Sequence, residues 1–302
     1  MKKPKITKQG ASMRQSSQKK EYRTIPEQLK EEEFNQYILA HLSLPKRGPK
    51  CKIGYYTVFN LIIWLLYTGA QWKMLPIPKD EEGKPVIHYT QIYRNFARWS
   101  EDGSLEAVFI NSVAHLAAEK RLDLSVLHAD GNNTIAKKGG DKVGFSGYKH
   151  QKGEKILAII ENNGYVIAPL AAAPVNESDM TLLPAAFSQL KMIINLLGLI
   201  IAGAIFNLDA GFDSKHNRKL VRRLKCQPNI KENPRGRKKP KRGRKRFFDA
   251  IIYKLRFRVE RTFAWEDKFR RLTVRWEHIH SRHLAFHLIA FSLINLRDFC
   301  AS

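Results

Sequence analysis

Apolar positions recur along this chain with two different periods. In residues 27–42, Leu29, Phe34, Ile38, Leu39 and Leu42 fall on roughly one face, which predicts an amphipathic helix. Residues 55–68 form a strongly apolar helix that stops at Gly69. Residues 90–99 turn Ile92, Phe96 and Trp99 inward and leave Arg94 and Arg98 outward, and a further helix covers 104–119. The pattern then changes. Two short apolar runs, 124–131 and 204–211, each end in an Asp followed closely by a Gly, as expected of buried strands. Residues 156–161 and 165–172 flank Asn162-Asn163-Gly164 and predict a hairpin. A helix over 180–197, a helix over 213–224 and a short edge strand over 227–231 follow. A long helix from Phe247 and an amphipathic helix over 280–297, with Leu284, Leu288, Phe291 and Ile294 inward, complete the chain. The order is helices first, then strand, strand, strand, helix, strand, helix, strand. It divides the chain into an all-α helical segment, 25–118, and an α/β segment, 119–302, behind an arm at 1–24.

Charge changes what the helices are for. Among 302 residues there are 53 Lys and Arg against 28 Asp and Glu, a net charge of +25. Such an excess points to a polyanion, nucleic acid before a membrane surface. The first twenty residues hold seven basic residues and no acid, and read as a solvated basic arm. Residues 235–246 hold nine basic residues in twelve, including Arg237 and Arg244, within a basic loop at 232–246 that contains nothing to bury. Several helices with a basic face predict a helix-turn-helix-like DNA-binding unit at 25–118. The stretch 137–155, with Lys149, has four glycines before Tyr148 and reads as a surface hairpin or a close approach to phosphate. The three cysteines are far apart and odd in number, which favours a reducing, cytoplasmic setting. No apolar leader opens the chain, and the most apolar stretch, 192–206, is shorter than a membrane span.

The candidate chemistry lies in carboxylates. If the two Asp strands run parallel and adjacent, Asp130 and Asp209 sit at the same end of one sheet, where open α/β sheets hold ligands. Each Asp alone reads equally well as a turn or cap residue. Tyr253, Arg256 and Glu260 fall on one helix face; Glu260 is either a salt-bridge partner on a basic helix or the third oxygen ligand that two paired acids need for a cation. His283 and His287 have the spacing of a zinc pair, but no third ligand of recognised spacing accompanies them, so core or phosphate-contacting histidines are the alternative.

Four blocks resemble the bacterial insertion-sequence transposases of the DDE type, in the group named after insertion sequence five. They are Thr68 to Trp72 with Leu75-Pro76 and Tyr93 to Trp99; His128-Ala129-Asp130-Gly131; Leu208 to Asp213; and Tyr253, Arg256, Glu260, Arg261 and Phe263. The signature's usual Lys is Asp267 here, with Lys268 next. The resemblance implies a ribonuclease-H-like catalytic domain, a mixed sheet flanked by helices with Asp130 and Asp209 on neighbouring central strands. It implies two Mg²⁺ ions, replaceable by Mn²⁺, on Asp130, Asp209 and Glu260, with Tyr253, Arg256, Arg261 and Lys268 on DNA. The implied partners are terminal inverted repeats and target DNA, bound by a homodimer or larger assembly near the nucleoid, with no membrane and no small-molecule substrate. A metal-dependent nuclease or resolvase of the same fold, and an inactive DNA-binding descendant, are the alternatives.

Overall fold

The computed structural model describes residues 24–233 and 246–300 apart from Tyr148 and Pro169, so the basic arm and most of the basic loop, with Arg237 and Arg244, lie outside the described residues. The chain opens with α1 (Glu31–Tyr37) and a short 3-10 turn, Leu39–His41. This is shorter than the helix expected over 27–42. Asn60 holds Leu29 by its N–H (2.9 Å) and its carbonyl (3.0 Å), which keeps the preceding segment extended. Next come α2 (Gly54–Thr68), α3 (Tyr89–Glu101) and α4 (Ser104–Ala118). Ile92, Phe96 and Trp99 are fully buried on α3, as their spacing predicts.

The α/β segment follows as β1 (Val126–Ala136), β2 (Gly144–Ser146), β3 (Gln151–Glu161), β4 (Ala171–Pro174), α5 (Asp179–Leu197), β5 (Ile205–Leu208), α6 (Lys215–Arg223) and β6 (Gln227–Ile230). It closes with α7 (Ala250–Lys254), α8 (Phe257–Glu266), α9 (Arg270–Thr273), β7 (Val274–Arg275) and α10 (His280–Leu296). The sheet order is β2-β3-β1-β5-β6, with β4 on β3 and β7 on β1. β3 is antiparallel to β1, whereas β5 and β6 run parallel to it. This mixed sheet with flanking helices is the ribonuclease-H-like arrangement. β6 lies at an edge, where Pro228 costs no ladder bond.

Four further elements differ from expectation. β1 does not end at Asp130 but continues to Ala136, because Gly131 to Ile135 pair with Leu157 to Gly153 of β3. The second hairpin strand is reduced to one bridge, Ile160 to Val166, and regular pairing resumes only at Ala171. The long helix after Phe247 starts at Ala250, where Asp249 accepts the N–H groups of Ile251 and Ile252, and it is interrupted by a turn at Leu255. α10 is not amphipathic: every residue from Ala285 to Leu296 is buried.

That burial has a cause in the architecture. α10 packs against the N-terminal helices α2, α3 and α4 and also against α8 and α9. Phe286 stacks on Phe96 of α3 at 4.3 Å between ring centroids. Asn295 donates to Ser112 Oγ on α4 (3.0 Å) and to the Val166 carbonyl (2.9 Å), and accepts the Val166 N–H (3.0 Å). The apolar core runs without a break from Ile25 to Cys300. The change near residue 118 is one of architecture within a shared core. α5 is long and apolar enough to cross a membrane by length and composition, and here its Leu183, Ala186, Leu190 and Ile193 are buried in that core.

Candidate active site

The two candidate aspartates reach the same place by register. β1 pairs with β5 in parallel from Val126 opposite Ile205 to His128 opposite Asn207. Two residues further on each strand stand Asp130 and Asp209. Asp209 leaves the strand and caps a 3-10 turn, accepting the Gly211 N–H on Oδ1 at 2.6 Å. A Cβ at position 211 would lie 2.9 Å from that same oxygen, so a larger residue there would shift the Asp209 carboxylate. Asp130 accepts the Gly131 N–H on Oδ1 (2.9 Å) and Arg256 Nη2 on Oδ2 (2.8 Å). Its side chain is 26% exposed and that of Arg256 14%, so the pair sits in a cleft rather than on open surface.

Arg256 is placed by the helices after the basic loop. Its guanidinium lies over the Tyr253 ring, 5.6 Å from the centroid, and faces the Tyr253 hydroxyl at 3.4 Å. α7 is fixed to the sheet by two buried asparagines. Asn207 donates to the Ile252 carbonyl (2.8 Å); Asn229 donates to Asn207 Oδ1 (2.7 Å) and to the Asp249 carbonyl (2.9 Å), and accepts the Asp249 N–H (2.8 Å). Sequence reasoning missed these residues. Their signal is a lone Asn in each apolar strand, where an unpartnered amide would be costly.

Glu260 lies one helical turn beyond Arg256, exposed, with no side-chain hydrogen bond among the described residues. Val259, Thr262 and Glu266 form the inward face of α8 instead. No group of three His, Cys, Asp or Glu among the described residues is gathered to hold a metal. Register thus puts Asp130 and Asp209 at the same end of the parallel pair, and Glu260 is exposed on α8. The donor set itself, carboxylate oxygens only, is that of a hard divalent cation. Glu266 is a different kind of acid. It is 1% exposed, accepts from Asn132 (3.2 Å) and meets His287 Nδ1 at 2.6 Å.

The other predicted residues separate by environment. Arg94, Lys149 and Lys268 are exposed. Arg98 is half-buried and donates to the Ser43 carbonyl (3.2 Å) and Asn95 Oδ1 (2.7 Å), so it braces the helical segment instead of pointing outward. Arg261 donates to the Asn163 carbonyl (3.2 Å) and lies over Trp265. The glycine-rich stretch approaches protein backbone: a Cβ on Gly140 would lie 2.7 Å from the His278 carbonyl oxygen. The three histidines of α10 are core groups. His283 and His287 face each other at 3.1 Å, and His280 meets the buried Glu154 at 2.6 Å.

Burial, and then the guanidinium groups of Arg258 and Arg256, push His128 down to about 4, so this residue two positions from Asp130 is neutral. Asp213 is clamped by Arg218 Nε (2.9 Å), Arg246 Nη1 (2.7 Å) and the Asn233 N–H (3.2 Å). Asn233 and Arg246 bracket the basic loop, so both ends of the loop are tied four residues from Asp209.

Comparison with known proteins identifies a family. The family described as transposase DDE domain matches residues 122–296, and the family described as putative transposase of IS4/5 family matches residues 29–109. No curated protein matches the chain. Among solved structures, the Mos1 mariner paired end complex with Mn is similar at 12% identity and a TM-score of 0.25, over 62% of this chain and 61% of that one. The chain thus spans about three fifths of the length of that structure's chain.

Proposed function

Because the chain belongs to the family of DDE-domain transposases, we propose that it binds the terminal inverted repeats of its own insertion sequence and catalyses metal-dependent strand cleavage and strand transfer. The observation that supports this most directly is that Asp130 and Asp209 each follow the last parallel pair of β1 and β5, His128 opposite Asn207, by two residues, with Arg256 bonded to Asp130. We assign Asp130, Asp209 and Glu260 as ligands of two Mg²⁺ ions, with Mn²⁺ able to substitute. When bound, such ions activate an attacking water or 3′-hydroxyl and stabilise the leaving oxygen of an in-line displacement.

The chain's own residues do the rest. Arg256 holds a positive charge beside Asp130, where a scissile phosphate would sit, and Tyr253 orients that guanidinium. Neutral His128 adds no competing cation beneath the site. Lys268 and Arg94, both exposed, are assigned to DNA phosphate, as are Lys149 and the basic loop with Arg237 and Arg244. Arg98 and Arg261 support the DNA-facing surface through their backbone contacts. The protein acts in the cytoplasm on nucleoid DNA, as a homodimer or larger assembly on paired ends.

The test is cleavage of a supercoiled plasmid carrying the element's ends. Asp130→Asn, Asp209→Asn and Glu260→Gln should each abolish Mg²⁺-dependent cleavage and leave gel-shift affinity for those ends within about twofold, and the losses should be non-additive. Normal cleavage by any one of the three would remove that residue from the site, and normal cleavage by all three would overturn the proposal.

A further inference from the structure

Helix α6 begins six residues after Asp209 and has a wholly basic outer face. Its exposed side chains are Lys215, His216, Lys219, Arg222 and Arg223, while Asn217, Arg218 and Val221 turn inward. None of the five exposed groups makes an ion pair or a side-chain hydrogen bond among the described residues. The neighbouring acid, Asp213, cannot serve them: its side chain is 2% exposed and is held by Arg218 and Arg246. Lys219 stands four positions from Lys215 and from Arg223, and three from Arg222, so like charges are neighbours on one helix face. Such spacing destabilises a helix standing alone. A polyanion lying along the face removes the repulsion.

The helix also occupies a particular side of the sheet. Phe206 of β5 packs on Phe187 of α5, 5.0 Å between ring centroids, and α6 packs on α5 and on β6. The next residue of the strand, Asn207, points the other way and donates to the Ile252 carbonyl of α7 at 2.8 Å. α6 therefore lies on one face of the sheet, and α7, which includes Tyr253, on the other. Asp130 and Asp209 follow the ends of the strands between these two layers.

Resting on the transposase reading above, we propose that α6 holds duplex DNA on the far side of the scissile phosphate from the terminal repeat. Flanking DNA before cleavage and target DNA at strand transfer share the chemistry required, a duplex phosphate backbone. The repeat is assigned to Tyr253, Arg256 and Lys268, which follow the basic loop on the α7 side. A duplex that passes the carboxylates from that side leaves toward α6. The nine residues of α6 span about 13 Å, roughly four nucleotide steps of one strand. Lys and Arg on phosphates fix position without reading sequence. That suits DNA whose sequence differs from one insertion to the next.

The test uses the full chain and the variant Lys219→Gln/Arg222→Gln/Arg223→Gln, whose three sites are exposed. Binding is measured on an end duplex that stops at the scissile bond and on the same duplex extended by flanking pairs. Joining of the pre-cut end to a target plasmid is the second arm. The variant should bind the short duplex as wild type does. On the extended duplex its salt slope of log K should be lower than that of wild type by about 2.7, which is 0.9 for each of three phosphates. In the joining arm it should need more target for half-maximal product. A deficit confined to the extended duplex assigns α6 to the flank, and one confined to joining assigns it to target DNA. Equal loss on the short duplex, or no loss in either arm, would overturn the proposal and leave the transposase reading standing. Failure of wild type to bind the end duplex at all would overturn that reading and this one with it.

Discussion

Arg256 donates to Asp130 Oδ2 at 2.8 Å, joining residues 126 positions apart. The candidate catalytic acid therefore carries an internal cation as its partner. A divalent ion arriving at Asp130 must share or displace that contact. Arg256→Gln should lower the Mn²⁺ concentration that stabilises the DNA-free protein in a thermal-shift titration. Cleavage should nonetheless fall by about 10² to 10³, the usual loss when a charge-stabilising donor is removed. A variant that needs more Mn²⁺ would mean that Arg256 organises the acids instead of competing for them.

Glu266 and Glu260 stand on one helix and should behave in opposite ways. Glu266 is buried and bonded to Asn132 and His287, whereas Glu260 is exposed. Glu266→Gln should lower stability by about 1–3 kcal/mol, the cost of an imperfectly satisfied buried group, read as a shifted urea midpoint. It should still cleave DNA at low temperature. Glu260→Gln should leave the midpoint unchanged and abolish cleavage. The reverse result would re-register the signature helix.

His128 gives stability a pH dependence of known sign. Its folded pKa, about 4, lies below the ordinary 6.5, chiefly because it is buried. Between those values the unfolded chain binds the extra proton. The contribution is fully present above pH 6.5 and is lost as pH falls toward 4, by up to about 3 kcal/mol. Urea midpoints of wild type and His128→Asn measured across that range should diverge, with the flatter profile in the variant. Parallel profiles would place the acid sensitivity elsewhere.

The basic loop should act on all DNA alike. Replacing the eight basic residues at 235–245 by Ser, and keeping Arg246 for its bond to Asp213, removes charge without releasing the loop's base. Each DNA phosphate that the loop no longer neutralises should lower the salt slope of log K by about 0.9. The slope should flatten by several units for specific and random duplexes together. An unchanged slope would make the loop a linker.

The two aspartates were legible in the sequence because each ends a run that is apolar and short. The length of β1 was not. Gly131-Asn132-Asn133 has turn composition, and only pairing with β3 makes it a strand. α10 looked amphipathic by its local period, but helices more than 160 residues earlier in the chain pack against it and bury its other face, which no local period records. Arg98 looked solvent-facing for the same reason: Ser43, its carbonyl partner, is 55 residues away. β7, two residues long, is defined entirely by its partner strand. Glu260 was singled out by its spacing from Tyr253 and Arg256 and by the third ligand that two paired acids need; its exposed position on α8 goes with the burial of the opposite face, Val259, Thr262 and Glu266.

The place of α10 in the core has a consequence for synthesis. The N-terminal helices leave the ribosome first, yet the surface that covers Phe96 and Ser112 is translated last. From Ala118 to Leu296 the ribosome must add 178 residues, which takes roughly 9 to 36 seconds at bacterial to slower rates. For that interval the first helices present apolar faces with no partner. A message cut short before α10 would release a chain whose oldest part had never been able to close, and quality control would meet it as unfolded protein.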